Sequence, residues 1–227
     1  MAIVGIDLRK EQQATLDRPA LKYSFMARSF FKAFDLAIGS RTTLPKLELL
    51  EILAGVPYHA WEARRDRQCA GFPGDAQGRE QARRLRAWAR LARDNEFRHL
   101  QLLREKSAEE NLEAPWFLRP ALVGAMRFSY RLFAWALAKM ALRRSLLFNA
   151  EFEDHAEHVY AEFVSRHPEW EAQPVTGPQA RAYGEFASWA DLFRRVSLDE
   201  RDHRNRSFYF CGRFHDIIRY QGMPENF

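Results

Sequence analysis

The chain has 227 residues, 47% of them hydrophobic and 29% charged, long enough for one sizeable core. Its net charge is +5, with 35 Lys and Arg against 30 Asp and Glu, so anionic partners such as a nucleic acid or a membrane surface have to be weighed. The arginines are spread through long helical stretches with no recognisable nucleic-acid-binding signature, which excludes a DNA- or RNA-binding reading. Cys69 and Cys211 stand far apart with no partner pattern, so plain thiols in a reducing compartment are expected. The N-terminus, Met-Ala-Ile-Val-Gly-Ile-Asp-Leu-Arg, reads neither as a signal peptide nor as a membrane span. A single domain over 1–227 is expected, with neither internal repeat nor domain break.

In chain order, residues 19–38 read as an amphipathic helix ended by Gly39. Tyr23, Met26, Phe30 and Phe34 recur at steps of three and four, with Arg28 and Lys32 between them. It suits either a core-packed helix or one lying in a membrane interface. A second helix starts near Pro45 and runs towards Arg67, and Pro57 is expected to kink it. Its inner face carries Leu47, Glu51, Ala54 and Tyr58. Residues 71–78 are a loop. The third helix, 79–106, has Leu85, Trp88, Ala92, Glu96, His99 and Leu103 on its inner face. Residues 116–148 are the most apolar part of the chain, yet Arg119, Arg127, Arg131, Lys139, Arg143 and Arg144 punctuate them. That mixture fits a helix half-sunk among lipid headgroups, with cationic side chains snorkelling, or a dimer face.

The next helix presents Leu142, Leu146, Asn149, Glu153, Ala156, Tyr160 and Phe163 on one stripe. After a loop at 167–178, a last helix over about 179–213 aligns Leu192, Val196, Glu200, His203, Ser207 and Phe210, and the tail after His215 is irregular.

Four apolar stripes are thus each broken by one carboxylate: Glu51, Glu96, Glu153 and Glu200. His99 and His203 follow two of them at i+3, one helical turn on and pointing the same way. An unpaired buried carboxylate costs several kcal/mol or takes up a proton. Metal binding removes that penalty. Single glutamates on two helices and Glu-x-x-His on the other two are the ligand set of a ferritin-like di-metal centre. The expected fold is therefore all-α: a ferritin-like four-helix bundle over 45–213 with additional amphipathic helices. Such ligands suit two iron ions, with manganese or cobalt compatible with one site. Asp154 and His158, at i+4, are read as lying behind the ligands or at the surface.

These residues resemble the alternative oxidases, monotopic di-iron quinol oxidases. Leu50-Glu-Ile-Leu-Ala-Gly-Val-Pro57 is similar to that family's Leu-Glu-Thr-Val-Ala-x-Val-Pro, and Asn95-Glu-Phe-Arg-His99 to its Asn-Glu-Arg-Met-His. Glu153-Asp-His-Ala-Glu-His-Val-Tyr160 resembles Glu-Glu-Glu-Ala-x-x-x-Tyr, and Asp199-Glu-Arg-Asp-His203 resembles Asp-Glu-Ala-x-His. The resemblance covers residues 45–210. It implies that Glu51, Glu96, His99, Glu153, Glu200 and His203 hold the metals, that Tyr160 is a redox partner, and that Asn95 and Asp199 orient ligands from behind. It also implies dioxygen and a quinol or small phenolic compound as substrates, a homodimer, and a cytoplasmic protein peripheral on the anionic inner face of the membrane. The departures fall on the substrate side. Lys46 replaces the family's arginine, Val159 replaces the hydroxyl residue before the tyrosine, and Asp35 lacks the arginine four residues earlier. An oxygenase or oxidative-cleavage enzyme acting on a small aromatic metabolite is therefore the second expectation. A non-catalytic metal-binding bundle is the third.

Overall fold

The computed structural model describes residues 5–63 and 76–223, and every regular element among them is helical. In order these are α1 (Leu8–Asp17), α2 (Phe25–Ile38), α3 (Leu44–Glu62), α4 (Ala76–Glu109), α5 (Pro120–Met140), α6 (Leu142–Ser165), α7 (Pro178–Tyr183) and α8 (Trp189–Cys211). The bundle is α3, α4, α6 and α8, with α3 packed mainly on α4 and α6 mainly on α8. Around it, α5 covers α3 and α6, α2 lies on α6, α1 packs on α8 and α6, and α7 packs on α4. The expected all-α bundle is what forms.

Several boundaries differ from the sequence expectation for local reasons. The helix expected from residue 19 begins only at Phe25, because Ser24 caps it, accepting from Ala27 N, and residues before it are held extended. The Ser24 N–H and hydroxyl both donate to Glu151, at 2.7 and 2.6 Å, so α6 fixes where α2 starts. Ser24→Ala is expected to lower stability by about 1–2 kcal/mol, read by urea unfolding. Helix α1, capped by Asp7, was not foreseen at all. The stretch 179–213 is two helices, not one. It breaks at Gly184, and Ser188 caps α8 by accepting from Asp191 N. The third helix begins at Ala76 and runs to Glu109, past both expected ends. Helix α3 passes through Pro57 unbroken, while the expected extension to Arg67, Cys69 and most of the 71–78 loop lie outside the described residues.

Two large clusters make the core of the bundle, and a small third one joins Leu198 to Tyr220 and Met223. One hydrophobic cluster takes Leu50 from α3, Leu102 and Leu103 from α4, Ala156 and Tyr160 from α6, and Val196 from α8. The other takes Leu53, Ala92, Phe148 and Phe210 from the same four helices. On every bundle helix the polar position falls between the two: Glu51, Glu96 with His99, Glu153, and Glu200 with His203. Apolar packing at both ends thus holds the carboxylates at one level of the bundle.

No described helix is long and apolar enough to cross a membrane. Helices α2 and α5 nevertheless expose large apolar side chains, including Phe25, Leu36, Phe128, Leu132, Trp135 and Met140.

Candidate metal centre

All six expected ligands are buried, from 0% exposed for Glu153 and His99 to 5% for His203. They form two groups. The ligand atoms of Glu51, Glu96, His99 and Glu200 lie within 4.8 Å of one another, as do those of Glu96, Glu153, Glu200 and His203. Glu96 and Glu200 belong to both groups, so they stand where carboxylates would be shared between neighbouring ions, while Glu51 and Glu153 each serve one side. Both imidazoles turn Nδ1 inward: His99 Nδ1 is 2.9 Å from Glu200 Oε1, and His203 Nδ1 is 2.7 Å from Glu96 Oε1.

The donors fit a metal by two observations. Of the twelve buried side-chain nitrogen and oxygen atoms without a hydrogen-bond partner among the described residues, eight belong to these six side chains, including both oxygens of Glu96 and of Glu200. Buried polar atoms are rarely left so, and a set that converges is the inner face of a cation site. The second observation is electrostatic. Burial and the neighbouring carboxylates push Glu96 and Glu153 well above the usual carboxylate range. Burial also acts against charge on Glu200, but His99 and His203 outweigh it and hold Glu200 down at about 2. Against the same burial, Tyr183 and Glu200 raise His99, and Glu200 raises His203. Protons and imidazolium charge thus balance the glutamates without a cation; a divalent ion replaces them by charge and by coordination.

Behind these six side chains stands Asp199. Its Oδ2 lies 3.4 Å from His99 Nε2 and it is ion-paired with Arg195; against burial, Arg195, His99 and Tyr183 together keep Asp199 ionised. Holding Nε2 from behind turns Nδ1 towards the shared carboxylates, where it could serve as a metal donor. Asn95 acts one step further off, donating to the Tyr183 hydroxyl at 3.4 Å. Tyr183 itself was not foreseen. It bonds Asp199 and lies 3.0 Å from His99 Nε2, a link no helical spacing announces because α7 is a separate short helix.

Tyr160 is fully buried and donates to Glu51 Oε1 at 2.5 Å. Burial and Glu51 push the phenol well above its ordinary range, so it remains a neutral donor. On the opposite side Tyr58 donates to Glu153 Oε1 at 2.6 Å, and Asn149 donates to both. Tyr58 was legible as an inward residue, but its partner lies on another helix.

Asp154 is not drawn to the metal position. It is fully buried in an ion network, paired with Arg18 at 2.9 Å and Arg204 at 3.0 Å. His158 lies beside it and bonds the Arg18 carbonyl at 3.0 Å. Lys46 and Val159 line one cavity of about 440 Å³, together with Asp35, Leu50 and His155. Lys46 Nζ is already engaged there, donating at 2.6 Å both to Asp35 and to the Gly39 carbonyl. A further cavity of about 630 Å³, between α3, α4 and α5, has Glu51 and Glu96 in its wall, apolar Ile52, Val56 and Leu100, and Arg98 and Arg127. Compared with known proteins, the chain matches no family model and no curated sequence, so what can be said of its chemistry rests on these side chains.

Proposed function

We propose that this chain is a non-haem di-metal oxidoreductase that activates dioxygen and oxidises a quinol or a related phenol. The observation that carries the proposal is the pair of buried ligand groups sharing Glu96 and Glu200, with a neutral phenol, Tyr160, hydrogen-bonded to one unshared carboxylate. Two bound iron ions would supply the redox chemistry of dioxygen reduction, with manganese or cobalt as alternatives. The chain's own part is geometric and electrostatic. The apolar clusters on either side keep water from the centre, Asp199 and Tyr183 fix His99, and Tyr160 stands ready to give up an electron, its proton held by Glu51. The alternative oxidases remain the family that the residues resemble.

The cavity between Lys46, Val159 and Leu50 is the proposed quinol pocket, since Leu50 and Val159 adjoin Glu51 and Tyr160 in sequence. One observation favours the second reading, oxygenation of a small aromatic metabolite. Lys46 is tied to Asp35, whereas the cavity walled by Glu51 and Glu96 carries Arg98 and Arg127, suited to an anionic compound. Oxygen uptake by metal-reconstituted protein, with reduced quinols set against hydroxybenzaldehydes under labelled dioxygen, separates the two. Quinol-dependent uptake with all label in water supports the oxidase; label in the organic product supports the oxygenase.

Tyr160→Phe is expected to keep the full metal content and lose turnover. If every metal-dependent oxygen reaction survives that change, the chain is a metal-holding bundle only. The exposed apolar faces of α2 and α5, with Lys139 over the Trp135 ring at 4.8 Å, are proposed to rest on an anionic bilayer. The protein is then expected to float with anionic liposomes. Absence of flotation together with a stable dimer would assign those faces to a second copy.

A further inference from the structure

Tyr160 has a counterpart across the centre. Tyr58 is fully buried and bonds Glu153 as Tyr160 bonds Glu51, so each unshared carboxylate holds one phenol. The surroundings of the two phenols differ. The Tyr160 ring stacks on Phe193 at 6.2 Å, and Phe193 is backed by Trp170 and Trp189, both buried to within 1%. Both indoles of that path lie inside the core. The Tyr58 ring stands edge-on to Trp61 and to Trp88, each at 5.4 Å, and the two indoles stack at 5.8 Å. Trp88 is only partly buried. It lines a cleft of about 370 Å³ between α4 and α8, together with Leu91, Arg98 and Asp202.

We infer that Tyr58 and Trp88 form a one-electron relay between the Glu153–His203 side of the centre and this surface cleft. Phenol and indole are the side chains that most readily lose a single electron, and here they are in ring contact from the carboxylate to the cleft. A buried phenol can be oxidised without leaving a charge behind only if its proton has somewhere to go, because an uncompensated buried charge is costly. Glu153 Oε1, 2.6 Å away, is that acceptor. In the relay Tyr58 gives one electron towards the oxidised centre and its phenolic proton to Glu153. The phenoxyl radical then takes an electron from the Trp88 indole and recovers the proton. The indole cation is refilled by a soluble one-electron donor of the ascorbate class in the cleft. The net change is one electron from that donor to the centre, with the donor oxidised by one electron and both side chains restored. The destination of the electron rests on the di-metal reading proposed above; the path itself does not.

The test uses the full chain loaded with zinc(II), which has no redox chemistry of its own and, by displacing the carboxyl proton, leaves Glu153 able to accept from the phenol. A ruthenium polypyridyl photo-oxidant is attached at Leu91→Cys, an exposed position in the cleft, with Cys69 and Cys211 replaced by serine. After a laser flash, transient absorption is expected to show an indole radical converting to a phenoxyl radical. In Tyr58→Phe the indole radical should persist with no phenoxyl, in Trp88→Phe both signals should be lost, and Tyr160→Phe should behave as the parent. An unchanged phenoxyl yield in Tyr58→Phe or Trp88→Phe overturns the relay, as does its absence in the labelled parent. Because Trp88 is partly exposed, its variant reports even if Tyr58→Phe fails to fold. Metal titration of the same preparations stands apart. Binding of one ion rather than two, with the phenoxyl signal present, would sink the di-metal reading and leave the path intact, whereas full binding without a phenoxyl signal would sink the relay alone.

Discussion

Stripped of metal and titrated with iron(II) or manganese(II), the chain is expected to bind two ions, and Glu96→Gln or Glu200→Gln to abolish that pairing. Both glutamates belong to both ligand groups, so losing either damages both sites. Glu51→Gln and Glu153→Gln each touch one group and should each leave one ion bound. Glu96 gives the sharpest contrast. Burial and like charge push its carboxyl well above the ordinary range, so without metal it holds a proton and glutamine is nearly its isostere. The metal-free melting temperature of Glu96→Gln should therefore match the parent, while the rise on adding metal disappears. In the parent, an ion present at about 100 times its Kd contributes about 2.7 kcal/mol, a shift of roughly 5–10 °C for a chain of this size. Isothermal titration with elemental analysis, and melting with and without chelator, measure both. Equal metal uptake by Glu51→Gln and Glu200→Gln would show that the shared position of Glu200 means nothing.

Glu157→Ala should be the most destabilising substitution outside the ligand set, costing about 3–5 kcal/mol. Glu157 is fully buried and accepts from the Thr15 hydroxyl at 2.8 Å, Arg18 at 2.7 Å and Arg201 at 2.8 Å. Its removal leaves Arg201, 2% exposed, with Glu11 as its one carboxylate partner among the described residues and loosens α1 from the α6–α8 pair. Glu157 lies one turn beyond Glu153, and Arg201 is next to Glu200, so the same network clamps the two helices that carry half the centre. Thermal unfolding should show the loss, and limited proteolysis should show cleavage in the first 24 residues before the bundle opens. A melting temperature within a degree or two of the parent would mean that water and the remaining carboxylates accommodate Arg18 and Arg201 and that Glu157 adds little.

How much of this was legible in advance follows from the range of each interaction. Glu51, Glu96, Glu153 and Glu200 were readable because each interrupts an apolar stripe on its own helix, a pattern of three- and four-residue steps that needs no partner to be seen. His99 and His203 were readable for the same reason, one turn from a carboxylate. Tyr183 was not, since its helix has six residues and its role comes from Asp199 and His99 on two other helices. Nor was α1, whose two buried residues, Gln12 and Thr15, are polar and bond across to Ala161 and Glu157. A helix held by polar contacts leaves no apolar period to read. Helix ends shifted wherever a capping serine, Ser24 or Ser188, outweighed the hydrophobic pattern.

By itself, then, the sequence determined the helical class, the four inward faces and the six polar side chains that break them, because helical periodicity sorts side chains into inside and outside before any helix meets another. Only the tertiary structure decided that Glu96 and Glu200 are shared, that Tyr58 and Tyr160 take opposite carboxylates, that Lys46 is bound to Asp35, and that Asp154 and Glu157 belong to arginines rather than to the metal position. Those assignments depend on distances between helices far apart in the chain. Packing of the two apolar clusters sets those distances, and no local period encodes them.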